Sequence, residues 1–293
     1  MDKFTDDQIL KAISHKFKAY QESISEQLKL MKQLEFVNLK LQESEKVKGL
    51  FLSNIRNELI NPLTSIGQLA HKINKINCTD PEKVLHFSNL IMEEISNLDF
   101  QLKNIFMAAA IESGEVVPEV SKGNIGEVVY AALESQKILA QKLNLHIETD
   151  MCDEVFFNTD TERLQLIISN LINNAIKYSP KGRNILITAS VKNKILTLVI
   201  KDDGIGIPEA DQKIIFDRFT QLDSGFNKMY QGQGLGLALV NSLLEILNGS
   251  IEVLSEPDKG SKFTIFLKEF DDDDVQGFSE EGNEILFDDF EKF

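Results

Sequence analysis

The sequence predicts an α+β protein in which two long amphipathic helices precede a two-layer domain of helices and strands. Apolar residues recur at three- and four-residue spacing across most of residues 6–111, the period of a helix with one buried face. Helix-like runs then alternate with short runs of Val, Ile, Leu and Thr from about residue 124 to 268. Between the two regions, Ser113-Gly114 and Pro118 break both patterns and mark a linker.

Composition and charge narrow the class of protein. With 293 residues, the chain is long enough for two packed domains. Its composition, with 42% hydrophobic and 26% charged residues, is ordinary for a globular protein. A formal net charge of −15 argues against nucleic acid as the partner, because phosphate backbones need clustered Lys and Arg. No stretch approaches the roughly 18 apolar residues of a membrane span, and the N-terminus lacks a secretory pattern. We therefore expect a soluble, cytoplasmic protein.

The first helical region, residues 1–45, carries an apolar stripe with the spacing of a coiled-coil seam, and no Pro interrupts it. The stripe consists of Phe17, Tyr20, Ile24, Met31, Leu34 and Leu41. The same frame continues through Leu52, Ile55 and Leu59 and passes Pro62. The pattern predicts one long helix with a kink at the proline.

A second helix completes a hairpin over residues 46–113. The turn before it offers Thr79 or Asp80 as the cap and places Pro81 at the first helical position. The apolar pattern predicts that this helix runs to about Ile111. Two helices this amphipathic cannot bury both stripes alone, so we expect a homodimer in which two hairpins form a four-helix bundle. The alternative is an intramolecular contact with the C-terminal domain.

The C-terminal domain, residues 119–268, should contain both helices and strands. Helical runs lie at 125–142, 161–177 and 235–247, and strand-like runs lie near 145–150, 185–191, 195–201, 250–254 and 262–267. The turn at 256–260 joins the last two runs into a hairpin. We expect a two-layer α/β domain whose adjacent strands are antiparallel.

Two segments of this domain carry polar groups that suit a phosphate-bearing ligand. On a helix, Asn170, Asn174 and Lys177 share one face, where carboxamide oxygens can ligate Mg²⁺ and an ammonium can neutralise phosphate. Asp202 ends a hydrophobic strand and precedes Gly204 and Gly206. Spaced glycines bring the backbone close to a ligand while the carboxylate accepts a hydrogen bond.

Two further segments follow along the chain. Phe216 and Phe219 look exposed and precede a polar, glycine-containing stretch to Gln231, which indicates a hinge and a lid. The run 232–239 then leads directly into a helix, with glycines that let amide groups and a helix N-terminus face phosphates. It carries neither a Walker lysine nor a dinucleotide fingerprint.

In this order and spacing, the four segments resemble the N, G1, F and G2 boxes of the histidine-kinase ATPase domain, a branch of the GHKL superfamily with the two-layer Bergerat fold. The resemblance implies that the domain binds ATP and Mg²⁺. By this resemblance Asn174 would ligate the metal, with Asn170 in support. Lys177 and Tyr178 would contact the nucleotide, and Asp202 would hold the adenine amino group. The other residues that the resemblance places at the ATP site are Gly204, Gly206, Phe216, Phe219, Gly232, Gly234, Leu235 and Gly236.

The resemblance extends to the hairpin and covers about residues 45–268. The family's signature there is His-Glu-Leu-Arg-Thr/Asn-Pro-Leu, whereas residues 57–63 of this chain are Asn-Glu-Leu-Ile-Asn-Pro-Leu. The lone pair of an amide nitrogen is delocalised into the carbonyl, so Asn57 is not expected to be phosphorylated. Arg56 and Ile60 also depart from the usual neighbours, which fits natural drift better than one designed change.

Four histidines remain as candidate acceptors: His15, His71, His86 and His146. His71 lies fourteen residues beyond position 57, about 21 Å along a straight helix, so machinery aimed at position 57 would not reach it. His15 and His86 lie in polar stretches, and His146 lies in a predicted strand. We therefore expect no relocated acceptor.

Several functions stay open for a chain of this kind. Glu58 and Asn61 match the Glu-x-x-Thr/Asn pattern that the family uses for phosphatase activity towards a response-regulator receiver domain. The plain alternative is that both are ordinary exposed helix residues. A second function is a non-catalytic switch or scaffold, in which ATP changes how the bundle meets a receiver or another histidine kinase. A third is an active kinase that phosphorylates a histidine in a heterodimeric partner.

The last segment, residues 269–293, contains eleven acidic residues against Lys292 alone, so it carries about ten of the fifteen excess negative charges. Aromatic residues recur within it, and they could dock a partner or fold back on a basic surface. Acidic segments of this composition are usually solvated, and we expect a solvated tail.

Overall fold

The computed structural model describes residues 6–76, 80–151, 155–218, 220 and 234–271. Phe219, Gly232, the predicted lid that extends to Gln231 and the acidic segment beyond Asp271 lie outside the described residues. The side chains of Asn57 and Glu58 also lie outside them, although both positions are helical. The chain divides into two compact units, Met1–Asn57 and Glu58–Phe293.

The described residues form long helices first and a mixed domain afterwards, which confirms the predicted α+β fold. The helices are α1 (Asp6–Lys75), α2 (Pro81–Ser113), α3 (Ile125–Lys142), α4 (Thr161–Tyr178) and α5 (Gly236–Ile246). The strands are β1 (Ser121–Asn124), β2 (His146–Met151), β3 (Phe156–Thr159), β4 (Asn184–Lys192), β5 (Ile195–Asp202), β6 (Gly249–Glu256) and β7 (Gly260–Lys268). A short 3₁₀ turn covers Ile214–Phe216.

Helix α1 is a single helix, as its uninterrupted apolar frame predicts, and it contains Pro62. In the first unit, Phe17, Tyr20, Met31 and Leu34 of the apolar stripe are all more than 60% exposed. These four described side chains of the stripe are therefore not buried within the first unit. None of the described helices is both long and apolar enough to cross a membrane.

Helix α2 begins and ends at the predicted signals. The carboxylate of Asp80 accepts a hydrogen bond from the backbone N–H of Lys83 at 3.2 Å, and Pro81 takes the first helical position. Gly114 closes the helix in the left-handed conformation, with φ of 73°. The helix extends two residues beyond Ile111 because the chain stays helical until this glycine.

The two sides of α2 have different environments. Asn104 and Ile105 are buried, and Met107, Ala108 and Ile111 pack against the core of the C-terminal domain. The intramolecular contact considered as an alternative is therefore present along this stretch. Other large apolar side chains of the hairpin remain exposed: Ile60, Leu63, Leu85, Met92, Ile95 and Phe106.

The C-terminal domain has a five-stranded sheet in the order β2-β4-β5-β7-β6. Strands β4, β5, β7 and β6 pair antiparallel as expected, but β2 and β4 are parallel, so the expectation of antiparallel neighbours is wrong for that pair. The physical reason is the connection, because β2 and β4 are joined by a crossover that includes α4 rather than by a hairpin. The sequence prediction also missed β1 and β3, which pair with each other in a separate two-stranded sheet.

Alternate residues of the sheet and the apolar sides of α3, α4 and α5 form one hydrophobic core. Phe157, Leu164, Ile172, Ile187 and Leu198 are among its fully buried members. The core fixes the ends of α4, β5 and α5, which carry the predicted site residues.

Candidate functional site

Helix α4 presents the first group of predicted site residues, and local contacts fix where it starts. Asp160 caps the helix by accepting a hydrogen bond from the N–H of Arg163 at 2.9 Å and forms an ion pair with the Arg163 guanidinium. Its second oxygen accepts a hydrogen bond from the N–H of Glu119 at 2.8 Å. Because Leu164 and Ile176 are fully buried, the rotation of α4 about its axis is also fixed.

The polar side of α4 forms one wall of a cavity of about 780 Å³. Asn170, Asn174, Lys177 and Tyr178 all line this cavity. Asn174 and Lys177 are partly buried, and burial raises the pKa of the Tyr178 hydroxyl above its ordinary value. The structure thus brings together a carboxamide and an ammonium at one cavity wall, as the helical spacing predicts, and the phenol of Tyr178, which only the resemblance suggested, lies there too.

Asn170 differs from its neighbours because its carboxamide already forms hydrogen bonds within the protein. It is 3% exposed, and its Nδ2 donates to Asn104 Oδ1 at 2.8 Å and to the carbonyl of Leu166 at 2.9 Å. In return, Asn104 Nδ2 donates to Asn170 Oδ1 at 3.1 Å. Asn104 lies on α2, and no pattern in the sequence connects it with a residue sixty-six positions later.

A second buried carboxamide bond holds α4 against α3. Asn173 Nδ2 donates to Gln136 Oε1 at 2.8 Å, and both residues are about 5% exposed. A hydrogen bond between two buried carboxamides satisfies groups that would otherwise be costly to bury. Sequence reasoning missed this pair, although Asn173 stands within the N box.

Asp202 ends β5 and is almost completely buried, at 4% exposure. Its Oδ1 accepts hydrogen bonds from the backbone N–H groups of Gly204 at 2.8 Å and Ser261 at 3.2 Å. Burial raises the pKa of this carboxyl to about 6, Asp203 adds to the rise, and the two N–H donors oppose it. Asp202 lines the same cavity as Asn174, so a buried acceptor and the polar side of α4 belong to one cavity.

The glycine-rich turn after Asp202 is held against two neighbouring segments. Gly206 has φ of 67°, and a Cβ there would stand 1.9 Å from the carbonyl oxygen of Glu256. The N–H of Ile205 donates to the carbonyl of Tyr178 at 3.1 Å, which joins the turn to the end of α4. Gly206 lines the cavity, whereas Gly204 is buried behind it.

The segment before the predicted lid is better buried than its sequence suggested. Phe216 packs against the domain core, so its expected exposure is wrong, and Ile215 is 8% exposed. The 3₁₀ turn directs these apolar side chains inward. Arg218 forms an ion pair with Glu112 near the end of α2. Thr220 lines the cavity.

Helix α5 begins at the cavity. Gly234, Leu235 and Gly236 all line it, and no side chain among the described residues caps the helix at Leu235. The first amide groups of α5 are therefore available to an anion. A Cβ at Gly236 would stand 2.9 Å from Asn170 Oδ1, so α4 and the start of α5 approach closely.

Residues of the hairpin also line the cavity. Asn61 and Ser65 of α1 line it together with Glu93 and Glu94 of α2. Ser65 Oγ donates to Glu94 Oε1 at 3.1 Å, and Glu93 forms an ion pair of 2.7 Å with Lys142. Asn61 itself is exposed. The sequence singled out Asn61 for another reason and did not predict that it shares a cavity with Asn174.

The histidines lie elsewhere. His71, His86 and His146 are exposed, and none of the three lines the cavity. The side chain of His15 is outside the described residues. The described histidines therefore offer no acceptor at the cavity wall.

The residues present suit Mg²⁺ accompanied by a phosphate ligand. Among the described residues, no group of three or more His, Cys, Asp or Glu side chains could hold a metal ion. Mg²⁺ commonly binds through one or two protein oxygens, substrate phosphates and water rather than in an all-protein cage. The carboxamide of Asn174 at the cavity wall is such an oxygen donor, and Lys177 and the α5 amides suit the phosphates.

Known proteins resemble this chain in sequence. Residues 159–271 match the family model "Histidine kinase-, DNA gyrase B-, and HSP90-like ATPase". Sensor-like histidine kinase SenX3 of Mycolicibacterium smegmatis is 29% identical over 222 residues, which are 76% of this chain and 58% of SenX3. Signal transduction histidine-protein kinase BarA of Escherichia coli K12 is 31% identical over 239 residues, which are 79% of this chain and 26% of BarA. The chain thus spans just over half of SenX3 and about a quarter of BarA.

Solved structures share the fold. The histidine kinase AdeS of Acinetobacter baumannii superposes with a TM-score of 0.52 at 23% identity, covering 73% of this chain and 98% of AdeS. Full-length ShkA in complex with AMPPNP gives a TM-score of 0.52 at 20% identity, covering 70% of this chain and 46% of ShkA. Histidine kinase ThkA in complex with response regulator protein TrrA gives 0.51 at 20% identity, covering 78% of this chain and 64% of ThkA.

Proposed function

Because the chain belongs to the two-component sensor histidine kinase family, we propose that it binds Mg²⁺ and ATP in the cavity beside α4 and acts on the receiver domain of a response regulator rather than on itself. The observation that carries this proposal is the convergence of Asn174, Lys177 and Asp202 on one cavity that Asn61 also lines. Position 57, where the family has its acceptor histidine, is Asn.

Each wall of the cavity has a distinct part in holding the nucleotide. The buried carboxylate of Asp202 accepts a hydrogen bond from the adenine amino group. Lys177 and the uncapped amides at the start of α5 face the phosphates. Mg²⁺, held by Asn174, supplies further positive charge to the phosphates when it is bound. The relative ShkA, solved with AMPPNP, supports a nucleotide in this fold.

Autophosphorylation requires a nucleophile that position 57 does not offer. A neutral imidazole presents a lone pair near physiological pH, whereas the nitrogen of a carboxamide does not. A nucleotide bound in the cavity would therefore leave Asn57 unmodified. The exposed positions of His71, His86 and His146 support the same conclusion.

Phosphatase activity does not require a nucleophilic side chain, whereas autophosphorylation does. The acyl phosphate of a receiver aspartate is already reactive, so a polar side chain that orients water is sufficient. Asn61 is exposed on α1 and can take this part, with Glu58 one turn earlier on the same helix. The complex of ThkA with TrrA supports docking of a response regulator on this fold.

The exposed apolar residues of the hairpin suit a second copy of the chain. Five large apolar side chains of the hairpin are at least 50% exposed: Leu85, Met92 and Phe106 of α2, and Ile60 and Leu63 of α1. Burying such a set in a four-helix bundle would contribute about 25 cal/mol for each Å² removed from water. A homodimer would also present two Asn61 side chains.

A second candidate, a switch without turnover, is favoured by the contact between α2 and the C-terminal domain. Asn104 and Ile105 are buried in that contact, so a change at the nucleotide cavity can alter how the hairpin is presented to a receiver or to another histidine kinase. This candidate predicts nucleotide binding and partner binding without hydrolysis of any phosphate.

The first experiment incubates the purified chain with γ-labelled ATP and Mg²⁺ under neutral conditions and follows nucleotide binding in parallel. We expect binding without label on the protein. Alkali-stable, acid-labile label on the chain would contradict the proposal. Label that appears only on a second histidine kinase would instead assign a kinase that acts on a heterodimeric partner.

The second experiment measures the loss of phosphate from a labelled receiver domain. Asn61→Ala should slow dephosphorylation by about tenfold or more, because water is no longer positioned. Gln68→Ala is the matched control, since Gln68 is exposed on the same helix two turns later and does not line the cavity. An unchanged rate in Asn61→Ala would exclude the role of Asn61, and a rate with the unaltered chain no faster than the receiver's own hydrolysis would exclude the phosphatase and leave the switch.

A further inference from the structure

The carboxamides of Asn104 and Asn170 form a closed, reciprocal pair between the hairpin and the C-terminal domain. The two residues are 8% and 3% exposed, and the pair has hydrogen bonds of 2.8 and 3.1 Å. The second N–H of Asn170 donates to Leu166 within α4. Both donors and one acceptor site of Asn170 are therefore in use while α2 is docked.

Little room remains around the oxygen of Asn170. Gly236 at the start of α5 approaches so closely that a Cβ there would stand 2.9 Å from Asn170 Oδ1. The oxygen is thus enclosed by Asn104 on one side and by α5 on another. Asn170 and Asn104 both line the cavity, and Asn174 lies one turn later on α4. To offer its oxygen to a ligand beside Asn174, the carboxamide of Asn170 would have to leave Asn104.

The other polar contacts along α2 are weaker. Glu93, at 16% exposure, pairs with Lys142, at 57%, and both members of the pair between Glu112 and Arg218 are 43% exposed. Exposed ion pairs typically contribute less than about 1 kcal/mol, whereas a buried carboxamide left without its partner costs more. Compared with these two ion pairs, the Asn104–Asn170 pair has both side chains buried, so its loss should cost the described contact of α2 the most.

We propose that docking of α2 and the binding of Mg²⁺ with nucleotide compete for the Asn170 carboxamide, so that Asn104 acts as a positioning residue that holds the site in a low-affinity state. The inference rests on the proposed nucleotide site and adds a regulatory contact to it. Because coupling between two equilibria is reciprocal, Mg²⁺-nucleotide releases α2, and loss of the Asn104 contact tightens Mg²⁺-nucleotide binding.

The test compares Asn104→Ala with the unaltered full chain, using ADP with Mg²⁺ and ADP with EDTA. We expect the dissociation constant with Mg²⁺ to fall about fivefold or more in Asn104→Ala, and the constant with EDTA to change by less than about twofold. Asn89→Ala is the matched control, because Asn89 is exposed on the same helix, does not line the cavity and is not part of the pair. Equal or weaker binding by Asn104→Ala with Mg²⁺ would overturn the inference.

A measurement on the unaltered chain guards against a variant that folds poorly. Hydrogen exchange of the α2 amides from 104 to 112 should become faster on addition of ADP with Mg²⁺ but not on addition of ADP with EDTA. Unchanged exchange at saturating nucleotide would overturn the inference while leaving the nucleotide site intact. Failure of the unaltered chain to bind ADP under either condition would instead overturn the proposed function, and the inference with it.

Discussion

The carboxylate of Asp202 and the backbone N–H of Ser261 are joined by a hydrogen bond of 3.2 Å, which ties the end of β5 to the start of β7 at the cavity wall. The bond holds a buried carboxyl in place but does not offset its burial, since the pKa of Asp202 remains raised to about 6. Ordinary buffers cover the pH range of this titration, which should affect both nucleotide affinity and the free energy of unfolding.

Nucleotide affinity should fall as the pH is lowered through about 6. Only the ionised carboxylate gives a charge-assisted hydrogen bond to the adenine amino group, and at pH 5 about one Asp202 in ten is ionised. We expect ATP to bind about tenfold more weakly at pH 5 than at pH 7.5. Because the phosphates also titrate, Asp202→Asn supplies the baseline, and an equal pH dependence in both proteins would contradict the assignment of Asp202.

The same substitution should stabilise the nucleotide-free protein at neutral pH. Burial raises the folded-state pKa of Asp202 to about 6, above the value of about 4 in an unfolded chain. Ionisation therefore costs the folded state increasing free energy from about pH 4 to 6, and a constant amount above that. Asp202→Asn removes the cost and keeps an oxygen for the N–H groups of Gly204 and Ser261.

Urea unfolding at two pH values measures this effect. We expect Asp202→Asn to gain up to about 3 kcal/mol at pH 7.5 and almost nothing at pH 4. A loss of stability at pH 7.5 would mean that the hydrogen bonds of the carboxylate outweigh the cost of burying its charge.

Gly206 and Gly182 form a natural comparison for the turn beside the cavity. Both have positive φ, 67° and 78°, so alanine adds similar backbone strain at each, about 1 kcal/mol. At Gly206 the new Cβ would also meet the carbonyl oxygen of Glu256 at 1.9 Å, whereas at Gly182 it meets nothing within 4 Å. Gly206→Ala should lose at least about 3 kcal/mol of unfolding free energy and Gly182→Ala about 1 kcal/mol. Equal losses would show that the Glu256 contact relaxes without cost.

Restoring the histidine tests whether the cavity can deliver a phosphoryl group. Asn57→Ala offers no nucleophile, whereas Asn57→His places an imidazole at the family's acceptor position. We expect acid-labile label from γ-labelled ATP in Asn57→His alone. Its absence, in a protein that still binds ATP, would show that the departures at Arg56 and Ile60 or elsewhere have also removed kinase geometry.

Much of this fold was predictable because its signals are local. The caps at Asp80 and Gly114 and the apolar periods of α3, α4 and α5 place the helices within two residues of their observed ends. Strands β1 and β3 were missed because each has four residues and gains its structure from pairing with the other across the chain. The parallel pairing of β2 and β4 depends likewise on the crossover and not on either strand's own residues.

The candidate site likewise has residues that the sequence predicted and one that it did not. The spacing on α4 and the position of Asp202 at a strand end brought Asn174, Lys177 and Asp202 to one cavity. Asn104 could not be predicted, because its partner is sixty-six residues away and the contact exists only when α2 packs on α4. A single asparagine in an amphipathic helix carries no sequence signal of a buried partner.

The end of the C-terminal domain provides a final prediction, because described contacts continue beyond the strand-like run that suggested a boundary at residue 268. Phe270 packs against the core and its N–H donates to the carbonyl of Asn158 at 3.1 Å. Glu269 accepts a hydrogen bond from the N–H of Asn158 at 3.2 Å and donates its own N–H to Lys194 at 2.9 Å. A chain that ends after Lys268 loses all of these contacts, whereas a chain that ends after Asp271 keeps them.

We expect the chain 1–271 to match the full chain in both ATP affinity and unfolding free energy, since the acidic segment beyond it is predicted to be a solvated tail. The chain 1–268 should lose about 2–4 kcal/mol, from hydrogen bonds of about 1 kcal/mol each and the burial of Phe270. Calorimetry of the three proteins measures the change in stability, and ADP titration measures the change in nucleotide affinity. A weaker ADP affinity in 1–271 would mean that the tail contributes to the site, because every described contact of the domain is retained in that protein.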